Sequence, residues 1–323
     1  MLALVLCSCE DRARIFSDAH SRNLNELHWS SDTLTNTGAP LTLTGLDGQA
    51  KAALYAVGTT ADSEAVILRF DGAHWTTSQV YPSPSYLHGI VTAGPFDVWA
   101  VGGIGDSALV LSNSGSGWEA LVPPPSPPLL TVDAGSGYDV WCGGEQGVVL
   151  HAVLFSWQRY DLGRNLTIES IAEVTSSDVY AIARRNDLRS PFDYPYYLYN
   201  FNGAVWSRVD SIPPSFIGLP QRFGIRLYTN LARLYSLGPG LFFFNLNRWQ
   251  QQVAADTLRA MYLENPNNII AVGNSVFHFD GVQWYAYQPL SGGSVRWMDV
   301  WMDASNVFLL GSLGGSSIVE HGE

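Results

Sequence analysis

Histidine, cysteine and paired carboxylates are the residue types best suited to chemistry, and their spacing in this chain is the first constraint on function. There are seven histidines, His20, His28, His74, His88, His151, His278 and His321, and three cysteines, Cys7, Cys9 and Cys142. A zinc site needs ligands that converge on one ion, which sequences achieve with Cys-x-x-Cys or with two histidines four apart on one helix face. Neither pattern occurs, and no Asp-x-Asp-x-Asp-Gly calcium loop is present. The glycine-rich run at 102 to 117 leads into a strand-like segment, so no helix N-terminus is available there for a phosphate. His28 and His74 each directly precede a tryptophan, and His151 and His278 each stand six residues before one. Histidines locked to a repeat in this way read as structural. Cys142 occupies a repeat position filled elsewhere by Ala56, Ala100, Ala181, Ser236, Ala271 and Leu309, and reads as a small packing residue. The expectation is a protein that is not an enzyme and carries no metal or cofactor.

One segment is chemically dense in another sense. "RRNDLRSPFDYPYY", residues 184 to 197, places Arg184, Arg185 and Arg189 beside Phe192, Tyr194, Tyr196 and Tyr197, where the neighbouring repeats use only a few residues. Arginine and tyrosine are enriched at binding hot spots. Long irregular insertions in compact domains are commonly functional. The connections "YPSPSY", which ends on Tyr86, "PPPSPP" and "DSIPPSFIGLPQRF" add proline-stiffened loops that lose little entropy on binding. The same insertion holds Asp187 and Asp193, two carboxylates of the kind that act as acid and base in glycoside hydrolysis.

Positioning these groups requires a scaffold, and the scaffold is repetitive. Trp75, Trp118, Trp157, Trp206, Trp249 and Trp284 each follow two consecutive apolar or aromatic residues placed eight and seven positions earlier, such as Ile67-Leu68 and Val276-Phe277. Between them stand Asp71-Gly72, Ser114-Gly115, Asn202-Gly203 and Asp280-Gly281, whereas Val153-Leu154 and Asn245-Leu246 break the pattern. Asp-Gly and Asn-Gly between apolar runs mark hairpins in which both central residues take positive φ. Upstream lie runs such as "LYAVG", "DVWAVGG" and "DVWCGG", β-branched and aromatic strands closed mostly by glycine. Each unit is an inner strand, two middle strands and an outer strand carrying the tryptophan. The spacing of 35 to 49 residues between anchors matches propeller blades.

The count reaches seven four-stranded blades only if the ends meet. The last unit, near 295 to 321, lacks a tryptophan strand, while Trp29 has no complete blade before it. The reading is an all-β, seven-bladed β-propeller over residues 26 to 323, closed by an N-terminal strand added to the C-terminal blade.

This plan resembles Kelch-like propellers, and its "FDG..W" turn is similar to the Asp-box turns of sialidase-like and photosystem-assembly propellers. Departures are Arg69, His74, His278 and Gln283 near positions where an Asp box carries serine or threonine, and Gly-Gly retained only at 102 to 103 and 143 to 144. These motifs imply a fold and specify no chemistry. At the N-terminus, Leu6-Cys7-Ser8-Cys9 resembles a bacterial lipobox. The resemblance implies a signal segment over residues 1 to 9, a lipid on Cys9 that holds the protein at a membrane, and a polar tether over 10 to 25.

Net charge of −12, from 17 basic and 29 acidic residues, argues against nucleic acid, whose binding rests on phosphate neutralisation. The expectation is a lipid-anchored binding or scaffolding propeller of the bacterial cell envelope, periplasmic or surface-exposed, recognising a protein partner through loops on one face. The alternatives are a glycan-binding or glycan-hydrolysing propeller and a structural subunit of an envelope complex.

Overall fold

The computed structural model describes residues 23–94, 96–154, 156–189, 196–212, 226–230, 233–238, 240–245, 248–254, 257–265, 267–291 and 293–323. Strand β1 (Trp29–Asn36) turns into blade 1, formed by β2 (Ala39–Gly48), β3 (Leu54–Thr60), β4 (Ala65–Phe70) and β5 (Trp75–Tyr81). Blade 2 contains β6 (Ser85–Gly94), β7 (Asp97–Ile104), β8 (Ser107–Asn113) and β9 (Trp118–Leu121). Blade 3 follows with β10 (Leu129–Ser136), β11 (Asp139–Gly144), β12 (Val148–Val153) and β13 (Ser156–Asp161). Blade 4 has β14 (Leu166–Thr175), β15 (Asp178–Arg185), β16 (Tyr196–Phe201) and β17 (Trp206–Ile212). In blade 5 are β18 (Arg226–Asn230), β19 (Arg233–Gly238), β20 (Gly240–Asn245) and β21 (Arg248–Ala254). Blade 6 holds β22 (Leu258–Asn265), β23 (Asn268–Gly273), β24 (Val276–Phe279) and β25 (Trp284–Ala286). Blade 7 is β26 (Arg296–Met302), β27 (Val307–Leu313), β28 (Ser316–Gly322) and, as its outer strand, β1. Helices among the described residues are single 3-10 turns of three residues.

The first strands of the blades touch in cyclic order, β2 to β6, β10, β14, β18, β22, β26 and back to β2, so the ring is closed. Strand β1 runs antiparallel to β28 from Trp29 opposite Gly322 to Leu34 opposite Ser317. The expected seven-bladed architecture and its closing strand are both observed.

The middle strands carry the core. Ala56, Ala100, Cys142, Ala181, Ser236, Ala271 and Leu309 are all buried, as small or apolar residues at one repeat position should be when sheets stack face to face. The glycine that follows in the second strand has a different reason from the turn its sequence suggests. A Cβ on Gly58 would lie 2.1 Å from the Thr42 carbonyl oxygen, and one on Gly102 would lie 1.9 Å from that of Tyr86. The inner strand therefore approaches too closely for any side chain.

The Asp-Gly turns also differ from expectation. Only the glycines take positive φ, at 106° in Gly72, 88° in Gly203 and 91° in Gly281. The preceding side chain instead caps the loop. Asp71 Oδ1 accepts the N–H groups of Ala73 and His74 at 2.8 Å, Asn202 Oδ1 those of Ala204 and Val205 at 3.1 and 3.0 Å, and Asp280 Oδ1 those of Val282 and Gln283 at 2.9 Å. An Asx-capped four-residue loop needs one left-handed residue, not two. Two successive positive φ values occur at Thr37 and Gly38, in the hairpin that joins β1 to blade 1.

Alternation of strand direction divides the loops between two faces. One, the connection face, bears the blade-to-blade connections and the loops between second and third strands. The other, the turn face, bears the loops between first and second and between third and fourth strands.

Candidate functional site

Of the four repeat-locked histidines, His151 and His278 are consumed by the blades, whereas His28 and His74 are exposed. His151, His278 and His321 sit on the third strands of blades 3, 6 and 7, and each donates Nε2–H to a residue opening or preceding the second strand. The acceptors are Asp139 at 2.6 Å, Asn268 at 2.6 Å and Asn306 at 3.1 Å. Blade 4 makes the same link with Asn200 Nδ2 donating to Asp178 at 2.7 Å. His151 stacks on Trp141 with ring centres 3.6 Å apart, and His321 on Phe308 at 4.1 Å. His278 also accepts the Tyr285 hydroxyl proton at 2.5 Å, and burial pushes its pKa down to about 4. These imidazoles are struts between strands, and burial favours the neutral form of His278 and His321. Cys142 is fully buried and its thiol is pushed up to about 12 by desolvation, which suits packing and suppresses thiolate chemistry.

The candidates on the connection face separate once the register of β15 and β16 is known. Adjacent residues of β16 point to opposite sides of the blade. Tyr196 enters the core between blades 4 and 5 and is 3% exposed, so it is a packing residue and not a contact for a partner. Burial, and then the Glu169 carboxylate, raise its hydroxyl pKa, opposed by Arg184. Tyr197 faces the junction of blades 3 and 4 and is half-buried. Its ring carries Arg208 at 4.6 Å and Arg185 at 5.6 Å. Arg184 pairs with Glu169 and donates to Asn186 at 2.7 Å, and Arg185 pairs with Asp187 at 3.0 Å. Arg189 is exposed. Phe192, Tyr194 and Asp193 lie outside the described residues.

Tyr86 belongs to β6 of blade 2, two blades round the ring, and does not join this group. Its ring lies over Gly103, where a Cβ would meet it at 2.7 Å, and stands edge-on to His88 at 5.7 Å. Burial first, then Glu145 and Asp106, raise its hydroxyl pKa. Arg208 was not singled out by the sequence. It lies on β17, with its register partner Tyr199 on β16, two residues after the anchor Trp206, and only cross-strand pairing brings it to Tyr197. Among the described residues, no group of three or more histidine, cysteine or acidic side chains is arranged to hold a metal ion.

No protein-family model and no curated protein matches this sequence. Solved structures do. YCF48 bound to D1 peptide superposes with a TM-score of 0.63 at 12% identity, over 91% of this chain and 94% of that one. A catalytically inactive virginiamycin B lyase from Staphylococcus aureus with quinupristin gives 0.66 at 11% identity, over 91% and 99%. The WD40 β-propeller domain of Doa1 gives 0.62 at 11% identity, over 90% and 95%. This chain shares their fold. Their identities are too low to carry more, and they include both a peptide-bound propeller and a lyase.

Proposed function

We propose that the chain is a non-catalytic binding propeller, held at the bacterial cell envelope by a lipid on Cys9, that recognises a protein partner through the connection face of blade 4. The observation that carries this reading is the packing of Arg208 and Arg185 on Tyr197, with Arg189 exposed four residues beyond Arg185. A guanidinium held against an aromatic ring is pre-oriented, so its remaining N–H donors meet a partner's carboxylates or carbonyls with little further loss of entropy. The packing also favours a protein over a glycan. Sugar recognition by tyrosine uses an open ring face, and here arginines lie over the ring of Tyr197.

Affinity capture from source membranes with the wild type, Tyr197→Ala and Arg189→Ala tests the face. The partner recovered by wild type should be lost or weakened by on the order of 2 kcal/mol in each variant. Equal recovery by all three would place recognition elsewhere. Metabolic labelling with a fatty-acid probe tests the anchor: the signal should vanish in Cys9→Ser.

A further inference from the structure

The turn face of blades 2 to 4 carries large apolar side chains in the open: Phe96, Tyr138, Leu154 and Val205 are 66%, 54%, 68% and 56% exposed. Phe96, Tyr138 and Leu154 stand on loops that adjoin at the junction of blades 2 and 3, with the Phe96 ring beside Gly115. Gly137, next to Tyr138, packs on Asp97, next to Phe96, so closely that a Cβ on Gly137 would lie 2.4 Å from the carboxyl carbon. The Leu154 N–H donates to the Tyr138 carbonyl at 3.0 Å. Blade 4 continues the surface, since the Glu173 carboxylate accepts the Gly135 N–H at 2.7 Å.

Leu154 departs from what folding alone would select. It stands where blades 1, 2, 4 and 6 place Gly72, Gly115, Gly203 and Gly281 and where blade 5 has Leu246, and it takes a left-handed backbone with φ of 46°. A leucine is strained in that region, whereas glycine is not. Burial does not compensate, because the side chain is out in solvent. Local strain retained without a packing return marks a functional position.

Charge specifies the occupant. The sequence has no lysine or arginine between Arg69 and Arg159. Around the apolar group the turn face presents Asp97, Asp139, Glu173 and Asp178, and internal hydrogen bonds hold Asp139 to His151 and Asp178 to Asn200. An acidic partner would be repelled by this surface, and one carrying lysine or arginine would be attracted to it. We propose that this surface is a second docking site, distinct from the connection face, for a protein segment that sets lysine or arginine beside an apolar anchor.

The test is fluorescence anisotropy of the full chain with a labelled synthetic peptide alternating lysine and leucine, beside its glutamate-for-lysine counterpart. The lysine peptide should bind saturably and weaken as salt rises, and the glutamate peptide should not bind. Leu154→Gly should weaken binding by on the order of tenfold or more while leaving the melting temperature unchanged or raised. Phe96→Ser and the pair Asp97→Asn with Asp178→Asn should weaken it likewise, and Val282→Ser on blade 6 should not. The proposal is overturned if the lysine peptide does not bind, if both peptides bind alike, if Leu154→Gly binds as wild type or melts lower, or if Val282→Ser is equally impaired. A wild-type dimer that Leu154→Gly converts to a monomer would seat a second copy here instead.

Discussion

His278 bridges Tyr285 and Asn268 as a neutral ring, with a pKa near 4 against 6.5 for an exposed histidine. A proton must therefore be excluded in the folded state and is accepted freely in the unfolded one. The stability this contributes is fully present above about pH 6.5 and is lost as pH falls toward 4, amounting to roughly 3 kcal/mol across the window. His321, whose pKa is lowered first by burial and then by Lys51, acts in the same direction. Urea unfolding of the wild type should show this loss between pH 6.5 and 4.5, and His278→Gln should flatten it. A wild type equally stable at both pH values would contradict the neutral strut. His278 was legible from its register with a tryptophan, and His321, which no tryptophan follows, was not. Nor was the division between Tyr196 and Tyr197, because two adjacent tyrosines are indistinguishable until the pairing parity of their strand is fixed. Cross-strand partners such as Arg208 are invisible for the same reason.

The loop before each outer strand shows why a repeat can be read before its mechanics are. Phe70, Phe201, Phe244 and Phe279 stand directly opposite Trp75, Trp206, Trp249 and Trp284, and the Asx side chain closes the loop in three of these blades. The spacing of these residues announces a blade, but both an Asx cap and a two-residue turn satisfy the same Asp-Gly letters. Removing the cap separates the two. Asn202→Ala strips the acceptor from two backbone N–H groups and should cost about 1 kcal/mol in chemical denaturation, whereas Asn202→Asp should be tolerated. Backbone N–H groups of Gln283 and then Val282 lower the pKa of Asp280, so its contribution is present above the usual carboxylate range and disappears as pH falls through the lowered value. Asp280→Ala should therefore melt lower at neutral pH and lose that difference in acid. Trp284 is half-buried against its neighbours, so Trp284→Ala should cost roughly 2 to 3 kcal/mol, below the loss for a fully enclosed tryptophan.

At the scale of the molecule, the seam between blades 7 and 1 is fastened by side chains as well as by β1. Ser317 Oγ accepts the Leu43 N–H at 2.9 Å and donates to the Leu41 carbonyl at 2.8 Å, while Asp299 accepts the Leu46 N–H at 2.9 Å. Trp301 Nε1 donates to the Gly48 carbonyl at 2.7 Å, and Lys51 pairs with Glu323 at 2.5 Å. Ser317→Ala leaves a buried N–H without its acceptor and should cost about 1 to 3 kcal/mol. A chain beginning at residue 37 loses β1 and exposes the edge of β28, so it should melt without cooperativity or associate, as light scattering would report. Circularity was legible because one blade lacked an outer strand and one tryptophan strand lacked a blade. The bonds of the seam were not, since no repeat position predicts them. The closing contact of Ser30 with His321 spans 291 residues. Strand β1 leaves the ribosome before the blades and its partner leaves after nearly all of them. At ordinary translation rates it waits roughly 15 to 60 s with an open edge. The ring thus has a latch that is made first and engaged last, and for that interval the nascent chain depends on whatever shields a lone strand from its neighbours on the same polysome.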